Sequence, residues 1–206
     1  MKIVGIVGSP SAESRSASLL EQVRSMLQPV ASRFHVVAVR ELPPDALLLG
    51  QATNPAIRHA VVAVAAADVV IIATPIYKAS YSGVLKAFLD LLPADALRGK
   101  TVLPMATGGS VSHLLALEYA LKPVLAALGA RDILDAVFAT DAQLQRLDAP
   151  GHEPSREVRE RIAQSLVPLL GRADEYARRA DAARERDALL ARVHPHTRPQ
   201  THQEIQ

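Results

Sequence analysis

A parallel β-sheet wound with helices on both faces is the fold class this sequence predicts, and three observations predict it. Short β-branched runs alternate with longer stretches of helical periodicity. The innermost runs, such as VVIIA at 69–73, are apolar on consecutive residues, so both faces of those strands must be covered. At 206 residues, 49% hydrophobic and 21% charged, the chain can fill one domain with a full core.

The first strand is expected at 2–8, KIVGIVG, ended by Pro10 and a run of serines, with a helix at 15–33 after it. HVVAV at 35–39 and the helical stretch 53–67 follow. DVVIIAT at 68–74 is the third strand, closed by Thr74 and Pro75, and Ser82 with Gly83 opens the helix at 82–92. TVLPMA at 101–106, a helix at 111–128, DILDAVF at 132–138 and a helix beginning near Glu153 complete the pattern. The expected architecture is an α/β, flavodoxin-like doubly wound five-stranded parallel sheet in the order 2-1-3-4-5. Such sheets bind ligands at the carboxyl ends of the strands, beside the switch point. The domain should span 1–175, with a charged helix and flexible tail at 176–206. Beyond Gly171, seven Lys or Arg mix with six Asp or Glu, so the tail is no basic arm.

Composition removes several classes of function. The absence of cysteine excludes disulfides, dithiol redox chemistry and thiolate metal sites, so any redox activity needs a borrowed cofactor. A net charge of +2 is too slight to argue for nucleic acid or a membrane surface. No run of eighteen apolar residues is present, and Pro10 cuts the first apolar stretch too short for a signal peptide, so a cytoplasmic protein is expected. His194, His196 and His202 lie among Pro, Gln and Thr without carboxylates, and no metal site is expected.

Three loops on the predicted ligand edge carry the chemistry. The first, GSPSAESRS at 8–16, has neither a GxGxxG nor a GxxxxGK[ST] pattern. It offers a helix N-terminus, the hydroxyls of Ser9, Ser11, Ser14 and Ser16, and the guanidinium of Arg15, which together suit a phosphate monoester. The same serines also serve as ordinary turn and N-cap residues. The second loop, TPIYKASYSG at 74–83, brings Pro75, Ile76, Tyr77, Lys78 and Tyr81, with the two tyrosines as an aromatic wall. The third, ATGGS at 106–110, brings Thr107, Gly108, Gly109 and Ser110, whose backbone can approach a flat ligand and donate to its carbonyls. A flavin mononucleotide needs those three elements: a phosphate cradle, ring contact and backbone donors.

At this point the sequence resembles the NADPH-dependent FMN reductases of two-component alkanesulfonate monooxygenase systems. The resemblance rests on GSP and SRS within 8–16, ATPIYKASYSG at 73–83, LKAFLDLLP at 85–93 and LPMATGGSVSHLLALEYALKPVL at 103–125. It implies FMN at the three loops, reduction by NADPH or NADH, delivery of FMNH2 to a partner monooxygenase, and a homotetramer or homodimer. One departure is Ser11, where members often carry Arg, which leaves Arg15 as the sole cation of the first loop.

Hydride transfer between nicotinamide and flavin needs aligned rings rather than acid–base residues, so no catalytic triad is expected. His113 lies near enough to the glycine loop to touch either cofactor, or it is a solvated helix-start histidine. Lys78 either meets the 2′-phosphate of NADPH or is solvated, and Lys86 with Asp90 reads as a surface ion pair. Pro123 removes its own N–H inside the helical stretch and crowds the carbonyl of Tyr119. From the residues alone that is a kinked core helix with Tyr119 buried; the resemblance implies instead a π-helix at an oligomer interface, linked to flavin transfer. Two other readings stay open: an FMN-retaining quinone, azo or metal-ion reductase, and a flavodoxin-like electron carrier, which the absence of strong acidity disfavours.

Overall fold

The structure is a computed structural model, and it describes residues 1–193. The chain begins with β1 (Lys2–Val7), α1 (Arg15–Leu27) and β2 (Arg33–Ala38), followed by α2 (Pro44–Leu48) and α3 (Pro55–Ala65). Next come β3 (Val69–Tyr77), β4 (Ser80–Tyr81), α4 (Gly83–Leu89) and β5 (Thr101–Gly108). A 3-10 turn (Val111–Leu114) and a π-helical turn (Leu117–Leu121) lead into α5 (Lys122–Ala127). Then follow β6 (Asp132–Ile133), β7 (Val137–Thr140), β8 (Leu144–Arg146), β9 (His152–Pro154), α6 (Arg156–Gly171) and α7 (Ala173–Val193). The histidines at 194, 196 and 202 lie outside the described residues.

The main sheet runs β2-β1-β3-β5, with β6 and β7 together occupying the fifth place, all parallel. The expected 2-1-3-4-5 order is therefore the observed one. Two additions bring the sheet to seven strands: β4 turns back on β3, and the fifth strand is split. Pro104 explains the split. Leu134 donates to Val102 O at 2.9 Å, and the next rung of a parallel ladder would run from residue 104 to the Leu134 carbonyl. Proline has no N–H to give, and exposed Asp135 follows at once, so pairing resumes only at Met105 with Val137.

Alternation within the apolar runs divides the core into two layers. Val4, Ile6, Val70 and Ile72 face α3, α4 and α5, packing with Ile57, Leu85, Phe88 and Leu125. Ile3, Val7, Val69, Ile71 and Met105 face the other way, against Leu19, Leu20 and Val23 of α1 and Ile162 and Leu166 of α6. Among the described residues no helix is long and apolar enough to cross a membrane.

Where β1 ends, the backbone meets α4 directly. A Cβ at Gly8 would sit 2.5 Å from Leu85 Cβ, and Gly8 O accepts from the Ser82 hydroxyl. Leu85 Cβ is fixed to its helix and has no rotamer by which to retreat. Gly8→Ala should thus destabilise the fold by about 1–3 kcal/mol, the usual cost of overpacking. Gly83→Ala, whose Cβ would meet nothing within 4 Å, should be neutral or stabilising by up to about 1 kcal/mol. Urea unfolding of the two variants checks the contrast, and equal stabilities would contradict it.

Candidate functional site

The loop after β1 is ordered by its own serines. Ser9 is buried and its hydroxyl accepts the Ser11 N–H at 3.2 Å, while exposed Ser11 donates to Glu13 O at 3.4 Å. Ser14 is the N-cap of α1, accepting from Ala17 N–H at 3.3 Å, so the N–H groups of Arg15 and Ser16 are left at the helix start without an intrahelical acceptor. Arg15 is half-exposed, with Nε 3.7 Å from Asp141 Oδ1. Ser16 is fully buried and exchanges a 2.9 Å hydrogen bond with Thr107 Oγ1, so its hydroxyl ties the first loop to the end of β5.

In the second loop the strand does not end at Thr74 as expected. Ser82 N–H donates to Thr74 Oγ1 at 3.2 Å, and β3 continues through Pro75 and Ile76 to Tyr77, in register with β5 as far as Pro75 opposite Thr107. It then reverses through Lys78 (φ 49) and Ala79 (φ 62) into β4. A two-residue turn with both φ positive suits the twist of a hairpin, yet neither residue is glycine, at a cost of order 1–3 kcal/mol each. Pairing sets Ile76 opposite Tyr81 and Tyr77 opposite Ser80. Ile76 and Tyr81 consequently face the core, at 6% and 9% exposure, while Tyr77 faces out at 50%. The expected wall of two tyrosines is divided: Tyr77 alone stands on the open edge. Burial raises the pKa of Tyr81 above its ordinary value, with Lys86 opposing the shift. Lys86 itself pairs with Asp90 at 2.6 Å on exposed helix surface, as expected.

The two glycines of the third loop have different tasks. A Cβ on Gly108 would lie 2.9 Å from His113 Nδ1, whereas one on Gly109 would meet only Asp141 Oδ2 at 3.9 Å. Gly108 makes room for the imidazole, and Gly109 leaves space for something else. His113 is half-buried rather than solvated, and its Nδ1 is buried without a hydrogen-bond partner. Thr107 is buried, and exposed Ser110 exchanges a 2.9 Å bond with Ser112.

Asp141, which follows β7, lies beside Arg15 and Gly109, and no sequence motif points to it. The same rule that selected the other loops, the carboxyl end of a parallel strand, points to it. The β8–β9 hairpin was also not anticipated; Arg146 reaches Glu13 at 2.7 Å, and a cavity of about 660 Å³ opens between the hairpin and α1. Glu13, Glu21 and Glu153 line that cavity, the wrong sign for a phosphate. His152 borders it with its pKa lowered, first by burial and then by Arg15 and Arg146.

The donor set fits FMN: a cation and free helix-start N–H groups for a phosphate, an open glycine and an unpartnered imidazole nitrogen for a polar ring edge. The family described as NADPH-dependent FMN reductase matches residues 1–145. The chain belongs to this family. It is 47% identical over 169 residues to an FMN reductase (NADPH) of Pseudomonas putida, covering 81% of this chain and 85% of the relative. An FMN reductase (NADPH) of Escherichia coli K12 is 49% identical over 144 residues, covering 70% and 75%. Among solved structures, an apo NADH:FMN oxidoreductase (EMOB) matches with a TM-score of 0.72 and 40% identity, covering 80% of this chain and 86% of that one. The protein is thus an oxidoreductase of the FMN reductase family, with FMN and NAD(P)H as its cofactors.

In this FMN reductase the buried Ser16–Thr107 pair joins two of the three loops. Ser16→Ala or Thr107→Val should each cost about 1–3 kcal/mol, because the remaining hydroxyl is buried without its partner. The double variant should cost at least about 0.5 kcal/mol less than the sum. Denaturant unfolding of the four proteins measures that coupling, and strict additivity would show the pair to be incidental.

Proposed function

We propose that this reductase binds FMN across the three loops, reduces it with NADPH or NADH, and releases FMNH2 to a partner monooxygenase of sulfonate-sulfur assimilation. The observation that carries the reading is the convergence at one sheet edge of Arg15, Tyr77 and Gly109, on loops tied together by the Ser16–Thr107 bond. Arg15 and the first N–H groups of α1 hold the phosphate, with Ser9, Ser11 and Ser14 shaping the loop around it. Tyr77 lies along the ring, while Pro75, Ile76 and Tyr81 support it from beneath. Thr107, Gly108, Gly109 and Ser110 face the pyrimidine end, where His113 Nδ1 has a hydrogen bond to offer. Lys78 is exposed at the hairpin tip, and in this reading it meets the nicotinamide nucleotide; otherwise it is simply solvated. Bound flavin supplies the hydride acceptor; the protein supplies alignment and exclusion of water. The reading puts the reaction in the cytoplasm, where NAD(P)H is regenerated.

With FMN in excess over protein, NADPH oxidation under air should saturate in FMN and continue for many turnovers. One stoichiometric reduction followed by silence would favour an electron carrier, and turnover that requires added quinone would favour an FMN-retaining reductase.

Tyr119 supports the finer part of the reading. Lys122 N–H reaches Leu117 O in the π-helical turn, and Pro123 has no N–H for the Tyr119 carbonyl. Leu117 and Leu121 are buried, yet Tyr119 is 79% exposed, and Val111 and Leu115 of the same stretch are exposed too. We assign this apolar stretch to a homotetramer or homodimer interface beside the flavin. Deleting Tyr119 should restore a regular helix, change the size-exclusion mass or the flavin retained on purification, and suppress steady-state turnover. A deletion variant that stays oligomeric, purifies without flavin and turns over like the parent would make Tyr119 purely structural.

A further inference from the structure

Arg15 is the sole cation of the 8–16 loop, and in the structure it already faces a carboxylate: Asp141 Oδ1 lies 3.7 Å from its Nε. The nearer acid in sequence, Glu13, is occupied elsewhere, 2.7 Å from Arg146. Asp141 is held in place from behind. It opens a 3-10 turn whose capping box joins Thr140 and Gln143, and Gln143 Oε1 accepts from Thr140 N–H at 3.1 Å and from Arg161 at 3.2 Å. Its other oxygen lies 3.9 Å from where a Gly109 Cβ would be, so the carboxylate stands between the first loop and the glycine strip.

We propose that Asp141 competes with the flavin phosphate for Arg15, so that a carboxylate built into the fold lowers FMN affinity and lets the flavin exchange. The proposal rests on the phosphate assignment to Arg15 above. A phosphate dianion approaching Arg15 must either displace Asp141 or sit beside it, and both lower the gain from the contact. Riboflavin, which has no phosphate, does not meet this competition. Both side chains are nearly half-exposed, so the effect is that of a surface ion pair rather than a buried one.

The test is a set of dissociation constants for FMN and riboflavin, from flavin-fluorescence titration of the parent, Asp141→Asn, Arg15→Ala and the double variant. Asp141→Asn should tighten FMN about two- to fivefold, the range of an exposed ion pair, and leave riboflavin unchanged. In the Arg15→Ala background the tightening should disappear. An unchanged FMN affinity, or equal tightening of both flavins, would overturn the proposal. Tightening that persists without Arg15 would also overturn it, since Asp141 would then repel the phosphate directly. The underlying assignment fails separately: it falls if Arg15→Ala alone weakens FMN and riboflavin equally, whatever Asp141 does.

Discussion

The close approach of β1 to α4 is the constraint on which the candidate site depends. Gly8 N–H donates to Ala73 O at 2.8 Å, Gly8 O accepts from Ser82, and there is no Cβ between the strand end and Leu85. Ser82 also caps α4 by accepting the Leu85 N–H at 3.3 Å. One hydroxyl therefore starts a helix and joins the loops after β1 and β3. Ser16 adds the third loop through Thr107, and both tethers are buried, so water does not compete for them. Loops fixed in this way lose little further entropy when a ligand settles on them.

Pro104 extends the same logic across the sheet. By interrupting the fifth strand it separates β6 from β7, and β7 pairs afresh with Met105–Gly108, the end of β5 that carries the glycines. Thr140 is opposite Gly108 in that register, which brings Asp141 beside Gly109 and within reach of Arg15. A proline that weakens the ladder in the middle of the sheet thus lies just below the segment that delivers a carboxylate to the ligand edge.

The doubly wound sheet was legible in the sequence, because runs such as VVIIA admit no arrangement but burial on both faces and they alternate with helical stretches. Boundaries and facings were less so. Thr74-Pro75 reads as a strand end, yet Ser82 satisfies Thr74 from across the hairpin and the strand runs on to Tyr77. Once β4 pairs with β3, parity alone sends Tyr81 inward and Tyr77 outward, and no local pattern announces a two-residue strand. The short helix α2 was overlooked for a similar reason: five residues carry too little periodicity, and only Pro44 at its first turn marks it. At 111–128 the apolar spacing suggests one helix, whereas Pro123 forces the preceding turn to wind differently, and the result is a 3-10 turn, a π-helical turn and α5. Asp141 was invisible to motif reading because its partner, Arg15, lies more than a hundred residues away.

The distribution of burial over the site bears on how an enzyme of this family handles its flavin. At the base, Ser9, Ser16 and Thr107 are all at most 3% exposed; at the rim, Tyr77 is 50% exposed and Gly109 is exposed beside the Asp141 carboxylate. A rigid base fixes where a bound ring lies, which hydride transfer requires. The open rim leaves part of the ligand edge facing solvent, so the buried base rather than the rim holds the loops in place. The strained Lys78–Ala79 turn belongs to the rim as well: the energy held in its two positive φ angles is offset by the packing of Ile76 and Tyr81 beneath it. Base and rim therefore place different demands on their residues: a substitution at the rim leaves intact the buried Ser16–Thr107 and Ser82–Gly8 tethers that fix the loops relative to one another.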